Sequence, residues 1–195
     1  DTNAQTAGIK VVVGGSGNDD FNTSAVAYTR SASLVGGAGS DVFVAGSGND
    51  TLVGTNSTAL GANEKDTLTG GTGNDRFILG DANNAYYNTA LRAGDYAVIA
   101  DFGTGTDIIQ LKDLTATNSD SSAANRYGYL MSGVDDVYGV GNLSIGIDSY
   151  LYVDSDKSGT INFGDNLIAV INNTAGGGAA LSTNDLTNTA RFSIV

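Results

Sequence analysis

The stretch GGAGSDVFVAGSGNDTLV, residues 36–53, consists of two nonapeptides that follow each other without a gap. Each has glycine at its second and fourth positions, an acid at the sixth (Asp41 and Asp50) and a large apolar residue at the eighth (Phe43 and Leu52). A fixed period of this kind indicates a repetitive architecture in which each repeat is one structural unit.

Other copies of the pattern lie on both sides of this pair. Residues 14–22 and 70–78 are two further copies, residues 103–110 are a partial copy, and residues 66–69 keep only the tail after a stretched turn that begins at Gly54. The last residues of each copy predict a short strand whose large side chain points inward. A glycine-rich flexible linker is the alternative interpretation, but a linker does not place Phe and Leu at intervals of nine residues.

The polar half of each nonapeptide has the chemistry of a cation site. Glycine adopts positive φ without steric cost, so we expect the turns to direct backbone carbonyls inward. Carbonyl oxygens and a carboxylate together suit calcium, which tolerates six to eight oxygens in irregular geometry. Asn or Asp before the sixth position tolerates left-handed backbone geometry. The predicted metal-site residues of the turns are Gly15, Gly17, Asp19, Gly37, Gly39, Asp41, Gly46, Gly48, Asp50, Asp66, Gly71, Gly73 and Asp75.

The pattern G-G-x-G-x-D-x-U-x, with U a large apolar residue, resembles the repeat of the RTX family of secreted bacterial proteins. The resemblance implies an all-β chain that binds several calcium ions and leaves the cell by type I secretion. The predicted fold is a parallel β-roll of RTX nonapeptides over residues 1–80, followed by a β-rich C-terminal cap over residues 81–195. A segment similar to D-F-x-x-G-x-D-x-I commonly follows RTX repeats, so Asp101 and Asp107 are further candidate ligands.

Two nonapeptides make one coil of such a roll, so each turn stacks on the turn two repeats away. Counting coils assigns the ends of the turns to two edges: Asp19, Asp41 and Asp66 to one, and Ala32, Asp50 and Asp75 to the other. The count requires residues 23–32 to form one extended turn. It predicts calcium between successive turns of one edge, with a less regular site that joins Asp41 and Asp66.

A different calcium motif lies at residues 154–165, DSDKSGTINFGD. It resembles the EF-hand loop, with acids at positions one and three and Gly at six, but Asp replaces Glu at position twelve. Strand-like segments at 150–153 and 167–171 flank it in place of helices. The alternative is a hairpin turn that needs no metal. The candidate ligands are Asp154, Asp156, Ser158, the carbonyl of Thr160, and Asp165.

Composition narrows the function classes. The 195 residues include no Cys and no His, which excludes disulfides, thiolate nucleophiles and imidazole-ligated metals. A net charge of −12 argues against a nucleic-acid partner. No apolar run approaches the ~20 residues of a membrane-spanning helix. Twenty of the acids are Asp and one is Glu, which favours turns over helices.

We therefore expect a non-enzymatic, calcium-binding, secreted protein that folds after export. Its role is predicted to be structural, adhesive or self-assembling at the cell surface or in the extracellular medium, with a homo-oligomer, a filament or a surface matrix as partner. The alternative is the C-terminal secretion and folding module of a hydrolase or toxin whose catalytic part is absent. An enzyme that uses carboxylates is disfavoured, since neither H-E-x-x-H nor G-x-S-x-G occurs. Residues 191–195 resemble a C-terminal export signal, and they are also expected as a last edge strand that completes the cap; the two interpretations are compatible.

Overall fold

The computed structural model describes residues 11–22, 29–88, 94–112, 130–132, 149–153, 166–172 and 190–195. These residues form strands and turns, and among them no helix is long and apolar enough to cross a membrane. The strands are β1 (Val11–Ser16), β2 (Asp20–Asn22), β3 (Ser33–Ala38), β4 (Val42–Val44), β5 (Thr51–Thr55), β6 (Lys65–Thr69), β7 (Arg76–Ile78), β8 (Tyr96–Ile99), β9 (Ile108–Leu111), β10 (Leu130–Ser132), β11 (Ser149–Val153), β12 (Asn166–Ile171) and β13 (Phe192–Ile194).

The strands form two sheets between which the chain alternates. One sheet has the order β1-β3-β5-β7-β9-β13, and the other has the order β10-β11-β12-β8-β6-β4-β2. From β1 to β9, every neighbouring pair within a sheet is parallel. The chain therefore winds as a parallel β-roll with one coil for every two strands, which confirms the predicted fold class.

The apolar eighth positions form two columns in the space between the sheets. Leu34 pairs with Leu52, and Leu52 pairs with Phe77. In the opposite sheet, Phe43 pairs with Leu68. All five side chains are buried in one hydrophobic cluster. Because side chains of a strand alternate between its faces, one large residue per nonapeptide is enough to fill the interior of the roll.

The register also settles the count of coils. β1 lies beside β3 with Val12 opposite Leu34, and β2 lies beside β4 with Phe21 opposite Phe43. The chain therefore makes one turn between β2 and β3, as the sequence analysis requires of residues 23–32. Residues 23–28 themselves lie outside the described part.

The two sheets continue past the predicted boundary at residue 80. β8 and β9 extend them by parallel pairing, and β12 adds to β8 in the same way. β11 and β10 then join antiparallel, in the segment predicted to be a β-rich cap. β13 lies at the edge of its sheet beside β9, so the chain end is an edge strand. The division into two domains remains a prediction, as does an export role for residues 191–195.

Stacked turns approach so closely that glycines packed on the turn below have no room for a side chain. Gly15 and Gly37 have nearly the same positive φ, 124° and 121°. A Cβ built on Gly37 would lie 2.1 Å from the carbonyl oxygen of Gly15, whereas a Cβ on Gly15 would meet nothing within 4 Å. A substitution at Gly15 therefore adds backbone strain alone, whereas a substitution at Gly37 adds backbone strain and a clash with the turn below.

We predict that Gly37→Ala destabilises the calcium-loaded protein more than Gly15→Ala does. Left-handed backbone strain costs about 1–3 kcal/mol at either position. Gly37→Ala also forces two turns apart, because the new methyl group overlaps a backbone carbonyl. Chemical denaturation of both variants in excess calcium measures the difference. Equal losses of stability would mean that the stacked turns can separate without cost.

Candidate metal sites at the stacked turns

The acids of the nonapeptides form a ladder along each edge of the roll. We call the edge with the turns that end at Asp19, Asp41 and Asp66 the first edge. There, Asp19 N–H donates to Asp41 Oδ1 at 2.8 Å, and Asp41 N–H donates to Asp66 Oδ1 at 2.7 Å. Each carboxylate thus reaches back one coil and satisfies the backbone of the equivalent residue. The contacts confirm the predicted assignment of these acids to one edge.

The second edge has the turns that end at Ala32, Asp50, Asp75 and Asp107. Ala32 N–H donates to Asp50 Oδ1 at 2.7 Å, Asp50 N–H to Asp75 Oδ1 at 2.8 Å, and Asp75 N–H to Asp107 Oδ1 at 2.9 Å. The ladder therefore extends through the partial copy at residues 103–110. This edge assignment is also confirmed, and Asp107 belongs to it.

A second ladder runs in the opposite direction through the residue before each acid. Asn49 Oδ1 accepts the N–H of Asn74 at 3.0 Å, and Asn74 Oδ1 accepts the N–H of Thr106 at 2.9 Å. On the first edge, Asn18 Oδ1 accepts the N–H of Ser40 at 2.9 Å. None of these Asn residues has a positive φ. The tolerance of Asn for left-handed geometry is therefore not used here, and its amide oxygen instead accepts a hydrogen bond from the next turn.

The second carboxylate oxygen is the candidate cation ligand. The Oδ2 atoms of Asp19, Asp41 and Asp50 are buried and have no hydrogen-bond partner. Buried polar atoms are nearly always hydrogen-bonded, and an unpaired buried charge is costly. Three equivalent atoms that share this state indicate a common missing partner, either a proton or a cation.

Backbone oxygens converge on the same places. A Cβ built on Gly36 would lie 2.0 Å from Asp41 Oδ2 and 2.1 Å from the carbonyl oxygen of Gly54 in the next turn. A Cβ built on Gly14 would meet Asp19 Oδ2 at 2.2 Å and the Gly36 carbonyl oxygen at 2.7 Å. A carboxylate oxygen and a carbonyl oxygen from successive turns therefore face one glycine. An all-oxygen donor set of this kind fits a calcium ion.

The turns of the described residues hold few carboxylates each. No group of three or more acidic side chains is gathered at metal-binding distances within the described ranges. An ion at these turns must therefore take most of its ligands from backbone carbonyls, which calcium accepts readily.

The motif glycines do not all behave alike. Gly15, Gly17, Gly37, Gly39, Gly71 and Gly73 have positive φ, as expected of turns that direct carbonyls inward. Gly46 and Gly48 do not. Their carbonyl oxygens lie under the next turn, where Cβ atoms on Gly71 and Gly73 would meet them at 1.9 and 2.1 Å. A Cβ built on Gly48 would itself lie 2.6 Å from the carbonyl oxygen of Arg30, so glycine at position 48 is needed for the close approach of backbones more than for a special φ.

Some predicted ligands have both oxygens engaged by the protein. Asp101 accepts the N–H groups of Gly70 and Gly71 at 2.9 and 2.7 Å. Asp107 accepts Gly103 N–H at 2.8 Å with the oxygen that its ladder contact leaves over. These two side chains organise the turns through backbone hydrogen bonds, and their role as ligands stays a prediction.

Asp66 also departs from the other acids of its edge. Its Oδ2 accepts a hydrogen bond of 2.5 Å from the hydroxyl group of Tyr87, which is fully buried. The contact spans 21 residues of sequence, and no local pattern announces it.

Glu64 is a site residue that the sequence analysis missed. Its Oε1 accepts Gly39 N–H at 2.8 Å, and its Oε2 is buried without a hydrogen-bond partner. The available signal was its rarity, because Glu64 is the only glutamate of the chain and lies two residues before Asp66.

Burial perturbs the carboxylates of both edges. Loss of solvent raises the pKa of Asp75 to about 7 and the pKa of Asp66 to about 6. It also raises the pKa values of Asp41 and Asp50. Hydrogen bonds to the ionised form oppose burial at each group, while repulsion from neighbouring acids adds to it at all but Asp50. Without a cation, these groups therefore keep their protons up to a higher pH in the folded state than in water.

The loop at residues 154–165 lies outside the described residues, and with it the candidate ligands Asp154, Asp156, Ser158, Thr160 and Asp165. The predicted flanking strands are present as β11 and β12, which pair antiparallel. The loop therefore connects two strands, as the sequence analysis expected.

Comparison with known proteins agrees with the repeats. The family model of the RTX calcium-binding nonapeptide repeat, in four copies, matches residues 31–57 and 60–88. The solution structure of a subunit of the mannuronan C5-epimerase from Azotobacter vinelandii resembles the chain with a TM-score of 0.44 and 21% identity, over 88% of this chain and 80% of that one. Among curated proteins, none matches the chain.

The raised pKa values predict opposite effects of pH with and without calcium. In the metal-free fold, the stabilisation from protonating Asp66 and Asp75 is complete below the ordinary pKa of 3.8 and is lost as the pH rises through about 6 and about 7. Calcium binds the ionised form, so its affinity rises over the same interval.

Circular dichroism in metal-free buffer, at about pH 4.5 and about pH 7.5, measures the first effect. We expect more β structure at the lower pH without calcium, and the reverse order of stability in excess calcium. A metal-free chain with the same spectrum and stability at both pH values would contradict the prediction.

Proposed function

We propose that this chain, whose nonapeptides at residues 31–57 and 60–88 are RTX calcium-binding repeats, is a non-catalytic extracellular module that folds when it meets calcium after export. One observation carries the proposal. Asp19, Asp41 and Asp50 each bury a carboxylate oxygen that no protein group satisfies. A bound ion neutralises these carboxylate oxygens, and residues of two successive turns contribute its ligands.

The electrostatics of the edges support coupled binding and folding. Successive coils bring Asp19, Asp41 and Asp66 together on one edge, in a chain of net charge −12. Like charges at that spacing oppose the folded state unless a proton or a cation intervenes. Because the complete site exists only when two turns are stacked, the free energy of calcium binding becomes free energy of folding.

The compartment follows from the same coupling. Extracellular calcium modules work with dissociation constants of about 10⁻⁴–10⁻³ M, far above the calcium level that cytosolic sensors detect. A chain that stays unfolded at low calcium remains competent for export and closes only outside the cell. We therefore propose a secreted or cell-surface location and transport through a type I system.

The carboxylates of the described turns also favour a structural role over a catalytic one. From Asp41 onward, each acid of the ladders accepts a backbone N–H of the preceding coil with one oxygen, as Asp50 does with Ala32. A group fixed in this way organises the main chain.

An exposed strand at the end of the roll favours self-association as the structural role. β1 is the outer strand of its sheet, and its Val11 and Val13 are 60% and 64% exposed. Among the described strands none pairs with the outer side of β1, and an apolar edge strand of this kind is a template for pairing with another chain. Analytical ultracentrifugation in calcium tests this role, because charged substitutions at Val11 and Val13 should abolish any oligomer and leave the monomer folded. A wild-type chain that is monomeric at every concentration would contradict it.

Calcium should convert the chain from an expanded form to an ordered β-roll, and Asp41→Asn should require more calcium for that change. Asp41 contributes to two stacked pairs of turns, so we expect at least about a tenfold increase in the midpoint concentration. Circular dichroism during a calcium titration measures it. Asp20→Asn is the matched control, since Asp20 is exposed in β2 and its substitution removes the same charge.

Two results would contradict the proposed function. The first is an equally ordered β spectrum in chelator and in excess calcium. The second is a midpoint for Asp41→Asn that equals that of Asp20→Asn.

The loop at residues 154–165 is proposed to hold a separate ion, because its sequence supplies oxygens without a second turn. We expect Asp156→Ala to remove one bound calcium while the ions of the roll remain. Metal counting after equilibrium dialysis decides the matter. If Asp156→Ala binds as many ions as the wild type, residues 154–165 form a hairpin turn that needs no metal.

A further inference from the structure

Glu64 occupies a position that the nonapeptide reserves for glycine. Counting back two residues from Asp19, Asp41 and Asp66 gives Gly17, Gly39 and Glu64. The stretched turn at residues 54–66 therefore ends in register with the regular turns, and Lys65 N–H donates to Ser40 Oγ at 3.0 Å as the second ladder requires. A carboxylate side chain thus enters the stack where the two turns below it have no side chain.

The two oxygens of Glu64 are in different states. Oε1 accepts the N–H of Gly39, in the turn below, at 2.8 Å. Oε2 is buried and has no partner, and the residue as a whole is only 9% exposed. A side chain that served only to satisfy Gly39 would be better as glutamine, which leaves no buried charge unpaired.

Asp41 brings a second unpaired oxygen to the same pair of turns. Asp41 is fully buried, and its unpartnered Oδ2 faces the carbonyl oxygen of Gly54 across Gly36. Glu64 lies near enough to contribute repulsion to Asp41 and also to Asp66. Two buried carboxylates with free oxygens and one carbonyl oxygen thus lie between two successive turns.

The hydroxyl group of Tyr87 occupies the Asp66 oxygen that would otherwise be free to bind a cation. In the lower turns, the glycine at position one faces the acid of its own turn and a carbonyl oxygen of the next turn. At Gly54, the hydroxyl group of Tyr87 stands in place of that carbonyl, 2.3 Å from a Cβ built there, with Asp66 Oδ2 at 2.4 Å. Because a hydroxyl group donates where a carbonyl cannot, Asp66 Oδ2 is satisfied by protein.

We propose that Glu64, together with Asp41 and the Gly54 carbonyl, forms a divalent-cation site between the turns at residues 36–41 and 54–66, and that Glu64 is the second carboxylate of this site in place of Asp66. The inference rests on the proposed function, since it assumes that ions bind between stacked turns. In the less regular site that the sequence analysis predicted between Asp41 and Asp66, the proposal replaces Asp66 by Glu64 as a ligand.

The first experiment counts ions and measures their affinities by calorimetry and equilibrium dialysis with calcium alone. We expect Glu64→Gln to weaken one ion by at least about tenfold and to leave the others unchanged, because glutamine keeps an acceptor for Gly39 and loses the charge. Asp20→Asn removes the same charge from an exposed position and should retain every ion. If Glu64→Gln binds calcium as Asp20→Asn does, Glu64 only caps a backbone N–H and the inference is wrong.

The second experiment needs no substitution, so a variant that fails to fold does not obscure the result. A chain labelled with ¹³C at the glutamate carboxyl group gives one glutamate resonance, since Glu64 is the only glutamate. Replacement of calcium by strontium in the folded, metal-loaded protein should move this resonance, while backbone amide signals show that the fold is retained. A resonance unaffected by the identity of the cation would overturn the proposed site.

Failure of the inference differs from failure of the proposed function. If the wild-type chain binds several calcium ions with no involvement of Glu64, calcium-driven folding stands and this ligand set falls. If the wild-type chain binds no calcium, both fall together.

Discussion

The burial of acids stacked on one edge, with repulsion between neighbours adding to it at Asp41, Asp66 and Asp75, is the constraint on which the structure depends. Neighbouring strands of a sheet lie about 4.8 Å apart, so every residue in register repeats at that distance along the roll. Hydrophobic residues gain from this repetition, as the column of Leu34, Leu52 and Phe77 shows. Asp residues do not gain, because ionised carboxylates at this spacing repel and burial removes the water that would screen them. The interior of the roll can therefore form only if something neutralises its edges.

The two oxygens of a stacked carboxylate have different partners. One oxygen accepts a backbone N–H from the coil below, as Asp41 does from Asp19, and this contact needs no metal. The other oxygen is left unpaired at Asp19, Asp41 and Asp50, and it makes the contact dependent on a cation. The Asn ladder adds hydrogen bonds in the opposite direction, through residues such as Asn49 and Asn74. The order of the turns is thus set by the protein, while their charge balance is set by the ion.

The nine-residue period predicted what depends on register: the strands, the inward side chains, and the edges that collect Asp19 with Asp41 and Asp50 with Asp75. It failed where the role of a residue depends on a contact with a neighbouring coil. Asn49 was assigned a local backbone role because single-residue propensity carries no information about a neighbouring turn. Glu64 was missed because the stretched turn before it has lost the motif glycines, so its register is visible only from β6. Tyr87 reaches Asp66 from a turn that has no repeat at all.

Tyr87 and Glu64 depart from the repeat close to Asp66, where the ladder of the first edge ends. Ala97 lies opposite Asp66 in the next coil, so the ladder of Asp19, Asp41 and Asp66 has no acid in register beyond Asp66. Ala32 likewise begins the second edge below Asp50. An acid at the end of a ladder has neighbours on one side only, and an ion placed there would lack the oxygens of a second complete turn. A neutral donor is the better partner for such an acid, since it satisfies the oxygen without requiring further ligands. Tyr87 provides that donor to Asp66. The proposed ligand of the ion below is then the carboxylate of Glu64, two residues before Asp66.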